Sequence, residues 1–460
     1  MFTAQTYESR RARLAAQFSS GLLLFLGHAD SPVNYRDNAY PFRQDSSFLY
    51  FFGVDRPGCA ALMDLDTGRT TLFADDASLD DLVWTGPQPR VAELAAAAGI
   101  PEAAPAAELA ARLAKAAGRK IAFLPPYRAE QQLQLFHLLG IHPDQQADAA
   151  SLGLIRAVVE LRACKSAEEV AELERAVDLS VDMHLAAMAM IRPGLKESDV
   201  AARVTQVALA AGSALAYPVI ATVHGETLHN HAYHNTLESG QMLLLDAGAE
   251  SPLHYAGDLT STTPVDPAFT PRQRDLYQLV LATHLGALEQ LRPGVPFREV
   301  HLAACCALAE GLKQMGLMKG DPREAVAQGA HALFFQCGLG HMLGLDVHDM
   351  EGLGEIWVGY QGQAKSTQFG LKSLRLARPL QAGFTLTVEP GLYFIPALIQ
   401  RWKAEGRCRD FIDYAAVERF QDAGGIRLEE NVLITPAGHR VLGKRRPRTL
   451  QELAAARQGA

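Results

Sequence analysis

The sequence lacks any apolar run near the roughly 18 residues that a membrane span needs. Its longest early apolar stretch, Leu22 to Leu26, has the length of a strand. A soluble chain with no membrane partner is expected. The opening MFTAQTYESRRARLAAQ has no apolar segment followed by a small-residue cleavage pattern, so a secretory signal is not expected and the cytoplasm is the expected location. Cysteine is sparse: Cys59, Cys164, Cys305, Cys306, Cys337 and Cys408 show no CxxC spacing, and two of them are adjacent. That argues against a disulfide framework or a zinc ribbon and for reduced thiols. Nor is there an excess of positive charge. With 43 Lys+Arg against 51 Asp+Glu the net charge is −8, which gives no general attraction for nucleic acid or anionic membranes. A small substrate, neutral or locally charged, is expected instead.

What is present is an ordinary globular composition, 48% hydrophobic and 20% charged, which excludes disordered and fibrous classes. At 460 residues the chain exceeds what one core usually organises, so two domains are expected. Up to about residue 155, short apolar strands (21–27, 60–64, 70–73, 120–124) alternate with Ala-rich helical stretches (90–98, 102–117), predicting an α/β domain over 1–155. A second region, 156–460, begins with a helix signalled by Ser166 and Glu169 in the capping-box pattern. Val170, Leu173, Val177 and Val181 follow at helical spacing. This helix ends at Arg192-Pro193-Gly194, and 100 residues on the pattern returns as Arg292-Pro293-Gly294 followed by another Ala-rich helix. One recurrence reads as a duplicated unit rather than a solenoid. Duplicated halves commonly build a site at their seam.

Four acids sit in or beside strongly apolar strands: Asp246 ends MLLLDAG, Asp258 lies in HYAGDLTST, Glu389 closes FTLTVEPG, and Glu429 lies between GGIRL and NVLIT. Each alone has a plain explanation, such as capping a turn or pairing with Arg427. Burying an ionised carboxylate without a partner costs several kcal/mol, however, so four together demand cations. Asp246 and Asp258 flank the turn residues Glu250-Ser251-Pro252, which lets both face inward from one hairpin. His341, bracketed by glycines in CGLGHMLGLDVHD, adds an imidazole. The set is oxygen-rich and suits Mn²⁺- or Mg²⁺-like ions better than a thiolate zinc site. His229 in TLHNHAYHN and His348 in GLDVHD are candidate proton carriers or oxyanion donors. His231 and His234 read as a surface loop or a weak metal tract.

In this order, LLLDAGAE, HYAGDLTSTTPV, GLGHMLGLDVHD, LTVEPGLYF and GGIRLEENVLIT resemble the five metal-ligand blocks of the pita-bread metallopeptidases, in the prolidase and aminopeptidase P branch. Upstream, YPFRQDSSFLYFFGVDRPG and MDLDTGRTTLF resemble that branch's N-terminal domain. The resemblance implies an α+β pita-bread catalytic domain with an internal pseudo-twofold repeat. It also implies a dinuclear site with Asp246, Asp258, His341, Glu389 and Glu429 as ligands, holding two divalent ions, manganese first with cobalt or zinc as alternatives. Such a pair supplies a nucleophilic water at neutral pH and polarises the scissile carbonyl. His229 and His348 would flank the substrate and stabilise the tetrahedral intermediate, while Glu389 would shuttle a proton to the leaving nitrogen. Arg427, Tyr393 and Asp37 match a supporting hydrogen-bond network. Trp84, in DDLVWTG, resembles an aromatic that the N-domain of a neighbouring subunit contributes, implying a homodimer or homotetramer.

Within the branch, the long blocks GLKSLRLARPLQAG and 396–422 resemble prolidases more than aminopeptidase P. Arg375 falls where prolidases grip the free carboxylate of a dipeptide, a role suited to a bidentate guanidinium. The expected activity is therefore hydrolysis of Xaa-Pro dipeptides. The alternatives are an Xaa-Pro aminopeptidase acting on longer peptides and a catalytically degenerate binding protein on the same fold. Two positions depart from the family pattern. Cys337 stands four residues before His341, where a His is usual, and a thiol is a poor hydrogen-bond donor. The interval from Asp246 to Asp258 is one residue longer than in the commonest members.

Overall fold

In the computed structural model, which describes residues 1–458, the chain divides into two compact units. One is 1–162 with 352–357; the other is 163–351 with 358–460. The first is organised by strand Leu22–Leu26. Because strand side chains alternate faces, Leu22 and Leu24 enter one core with Leu62, Phe73, Leu109 and Leu135. Phe25 points to the other face and meets the rings of Phe51 and Phe52 at 5.4 and 5.3 Å. The strand pairs antiparallel with Ala60–Asp64 and parallel with Ile121–Phe123. Arg69–Phe73 and then Glu102–Ala104 extend the sheet beyond Ala60–Asp64.

The helix expected over 102–117 is corrected here. Glu102–Ala104 is an edge strand pairing with Thr71–Phe73, and the helix begins only at Glu108. Pro105 explains the break, since it lacks an N–H and disfavours helical backbone in the residue before it. The boundary expected at 155 falls inside helix Leu152–Ala163, most of which goes with the first unit. There Tyr50 donates to the Leu161 carbonyl at 2.8 Å and Arg162 to Ser47 at 3.0 Å.

The second unit is built twice over from one plan. Helix Ala167–Met190 starts at the Ser166/Glu169 capping box and is followed by helix Glu197–Ala210; Pro271–Glu289 and Phe297–Gln314 repeat the pair. The two RPG turns are held alike. Gly194 and Gly294 adopt φ of 89° and 87°, a left-handed conformation open to glycine. Their N–H groups donate to Leu237 and Leu380 at 2.9 and 2.8 Å, and those leucines donate back to Leu195 and Val295 at 2.7 and 2.9 Å. Each turn thereby fixes the approach to a buried strand, Met242–Asp246 in one half and Thr385–Val388 in the other. Sheets 220–222/242–246/260–264 and 385–388/430–435/438–441 complete the halves. No described helix is long and apolar enough to cross a membrane, and all six cysteines are free.

Candidate active site

Strand Met242–Asp246 is buried along its whole length, so hydrophobic burial carries Asp246 at its end into the interior. The strand pairs antiparallel with Thr260–Pro264, Asp246 facing Thr260, and a connection closed by the Glu250–Ala256 bridge places Asp258 beside it. Tyr217 joins the two acids, its hydroxyl lying 2.7 Å from Asp246 Oδ1 and 2.7 Å from Asp258 Oδ1. Burial and then the charges of both aspartates push this phenol well above its ordinary range, so it remains a donor. Asn431 grips the Asp258 backbone from both sides, accepting from its N–H at 2.9 Å and donating to its carbonyl.

The other half supplies the remaining members. Glu389 follows strand Thr385–Val388, its N–H bonded to Leu339 at 2.7 Å. Glu429 precedes strand Glu430–Thr435 and accepts from the Thr260 hydroxyl at 2.7 Å. His341 turns Nδ1 to its neighbour's carbonyl, Met342 O, at 3.0 Å. A carbonyl only accepts, so Nδ1 carries a proton and Nε2 faces the acids. That nitrogen lies 3.3 Å from Asp258 Oδ2 and 3.5 Å from Glu389 Oε1. Ligating atoms of Asp258, His341 and Glu429 all lie within 4.8 Å of one another.

Charge is unbalanced here. Burial, followed by the charges of Asp258, Glu389 and Asp246, raises the Glu429 carboxyl well above its ordinary range. Burial also raises Glu389, against the opposing charges of His341 and Arg427. For Asp258 burial again acts upward, but its hydrogen bond to His341 and that imidazole's charge outweigh it and hold the carboxyl low. Arg427 answers part of the excess. It is 4% exposed and donates to Asp246 at 2.5 Å, Tyr393 at 3.0 Å and Thr260 at 3.0 Å. Its partner is thus Asp246 rather than Glu429. One guanidinium and one imidazole do not offset three buried carboxylates and the partly buried Glu389, so the donor set fits divalent cations.

Two comparisons decide the family. Residues 171–436 match metallopeptidase family M24, and residues 7–122 match the aminopeptidase P N-terminal domain. The chain belongs to the M24 metallopeptidases. It is 30% identical to a probable Xaa-Pro aminopeptidase of Botryotinia fuckeliana, over 92% of this chain and 89% of that one. It is 28% identical to the human Xaa-Pro dipeptidase, over 98% and 91%. Among solved structures it superposes on Yersinia pestis proline aminopeptidase P II with a TM-score of 0.83 at 28% identity, covering both chains fully. A zinc-substituted Escherichia coli aminopeptidase P in complex with product matches at the same TM-score and 29% identity, over 100% and 99%.

The sequence singled out other residues of this M24 chain besides the acid cluster. The His348 ring is 4.1 Å from that of His341 and inclined to it by 60°. Its Nδ1 meets Glu351 at 2.5 Å, and the same carboxylate receives Arg375 Nε at 3.2 Å. His229 is exposed; partial desolvation and then the charge of Arg427 lower its pKa, with Arg375 acting the same way. Tyr393 is fully buried, 4.0 Å from Cys337. His231 and His234 are exposed. Asp37 and Trp84 belong to the first unit, Asp37 in an exposed loop and Trp84 at 85% exposure on helix Leu79–Thr85. Tyr217, Glu351, Thr260 and Asn431 were not singled out by the sequence. Thr260, two residues after Asp258 inside the same block, carried the nearest thing to a signal.

Proposed function

We propose that this chain is a metal-dependent peptidase that cleaves the Xaa-Pro bond of dipeptides. The observation that carries the reading is the convergence of buried Asp246, Asp258, His341 and Glu429 with the partly buried Glu389, gathered from both halves of the second unit, in a family whose relatives here are named Xaa-Pro aminopeptidases and Xaa-Pro dipeptidase. Those five residues would hold two divalent ions, with manganese favoured by the carboxylate-rich set and cobalt or zinc accommodated. Bound there, the ions would supply an activated water and Lewis acidity toward the scissile carbonyl.

The chain's own groups account for the rest. Burial raises the Glu389 carboxyl above its ordinary value; a positioned carboxyl can act as a general acid–base, and Glu389 is assigned the delivery of the proton to the leaving imino nitrogen. His348 beside His341, and His229 at the exposed rim, donate hydrogen bonds to the developing oxyanion. Arg427 and Tyr393 fix Asp246 in place. Arg375 grips the substrate's terminal carboxylate and is itself oriented by Glu351. Asp37, in the supporting hydrogen-bond network, and Trp84, offered to a neighbouring subunit's site, come from the first unit. The assembly would then be a homodimer or homotetramer, and the setting cytoplasmic.

A second reading, an Xaa-Pro aminopeptidase acting on longer peptides, is favoured by the names of most curated relatives and by the aminopeptidase P structures. Gly-Pro and Ala-Pro, assayed against a tripeptide with proline second, separate the two. Dipeptide turnover at least tenfold faster supports the first reading, and a preference for the tripeptide supports the second. Metal analysis of Asp258→Ala and Glu429→Ala, both expected to be folded, depleted of metal and inactive, tests the site itself.

A further inference from the structure

Helix Phe297–Gln314 carries His301 and Cys305 one helical turn apart, and the short turn Ala330–Leu333 brings His331 against them. All three are buried, at 0%, 0% and 2% exposure. His301 Nε2 lies 3.5 Å from Cys305 Sγ, and one ligating atom from each residue falls within 4.8 Å of the others. His301 Nδ1 and both ring nitrogens of His331 have no hydrogen-bond partner among the described residues. Buried polar atoms are nearly always paired, so these nitrogens beside a thiol need an explanation. His284, equally buried and unpartnered, shows what is distinctive: among the described residues it belongs to no cluster of three metal-ligating side chains.

We propose that His301, Cys305 and His331 form a second metal site, apart from the acid cluster, that takes a soft monovalent cation of the copper(I) class. Donor type and charge both select it. A thiolate with two imidazoles is a soft, three-donor set without a carboxylate oxygen. One thiolate charge neutralises a monovalent ion, whereas a divalent ion would leave a net positive charge in surroundings that include the Phe335 ring, 5.6 Å from His301. Burial keeps both imidazoles neutral, at pKa values of about 3 and about 4, so their lone pairs are available. Burial also keeps the Cys305 thiol protonated; binding therefore breaks its S–H bond, forms a sulfur–metal bond and releases one proton to solvent, with no change of oxidation state. The bound ion would fasten the Ala330–Leu333 turn to the helix.

The test is an anaerobic titration of the metal-depleted full-length protein with copper(I) against a chromogenic copper(I) chelator. One equivalent withheld from the chelator, one proton released per copper, and X-ray absorption showing one sulfur and two nitrogens at the metal are expected. Cys305→Ala and His331→Leu should each lose that equivalent by at least 100-fold in affinity. Glu429→Gln and Cys164→Ser should keep it. Because a core variant can unfold, each is checked by circular dichroism, and copper(I) should raise the Tm of the unsubstituted protein. Complete surrender of copper to the chelator, unchanged retention in Cys305→Ala, or sulfur-only coordination overturns the site. Equal retention of zinc(II) overturns the charge argument.

Discussion

Tyr217 shares one hydroxyl between Asp246 and Asp258, lying 2.7 Å from an oxygen of each. A phenol has a single proton to give, so the two aspartates are held in fixed relation by one donor. Groups behind a metal ligand that orient it typically cost 10–100-fold in affinity or activity when removed. Tyr217→Phe is expected to weaken divalent-metal binding by about that factor with little change in the circular dichroism spectrum. Calorimetric titration with manganese checks it, and unchanged affinity would show that the phenol is not needed for orientation.

Arg375 should discriminate substrates by their free carboxylate. A hydrogen bond to a charged group is worth roughly 1.5–3 kcal/mol, so Arg375→Ala should lower kcat/KM for Xaa-Pro dipeptides by about one to two orders of magnitude. Amidated dipeptides should hardly respond. The coupling between enzyme substitution and substrate amidation isolates the contact from general damage. Equal losses on acid and amide would make Arg375 structural and favour the aminopeptidase reading.

Lys165 and Asp349 form an ion pair whose side chains are each 1% exposed, at 2.7 Å. It anchors the residue next to His348. Removing one partner of a buried pair strands the other charge and costs about 3–5 kcal/mol, while replacing both with apolar residues is often neutral. Lys165→Met should therefore be strongly destabilised in urea unfolding, and Lys165→Met combined with Asp349→Leu should recover most of the loss. A double variant no more stable than the single one would contradict this.

Acid sensitivity should come partly from histidines outside the acid cluster. Burial, followed by nearby arginine charge, holds His184 and His284 at about 3 in the folded chain, against about 6.5 unfolded. Above pH 6.5 neither state is protonated at these positions and they contribute no pH dependence. As pH falls from 6.5 towards 3 the unfolded chain takes up protons that the folded one refuses, so stability is lost through that window. His284→Leu should reduce the slope of unfolding free energy against pH, between pH 6 and 4, by about one bound proton. An unchanged slope would mean that His284 is protonated in the folded state.

How much of this was legible from residues alone depended on whether the signal was local. The Ser166 and Glu169 cap, the two RPG turns and the acids embedded in apolar strands are short-range patterns, and each reappears where the sequence places it. Glu102–Ala104 was misread because an Ala-rich stretch looks helical until Pro105 and the partner strand Thr71–Phe73 are weighed. Tyr217 and Glu351 were invisible for a different reason. A tyrosine in a turn and a glutamate after a histidine acquire their roles only when distant segments meet, and no periodicity records that approach.

Because the acid cluster draws Asp246 and Asp258 from one half and His341, Glu389 and Glu429 from the other, its parts leave the ribosome in separate instalments. A nascent chain that has just exposed the first hairpin holds two aspartates without the imidazole and glutamates that face them. Glu429 and the strand Glu430–Thr435 that pairs with Thr385–Val388 come last. Synthesis order therefore leaves the cluster incomplete until Glu429, the last of the five in the sequence, has been made.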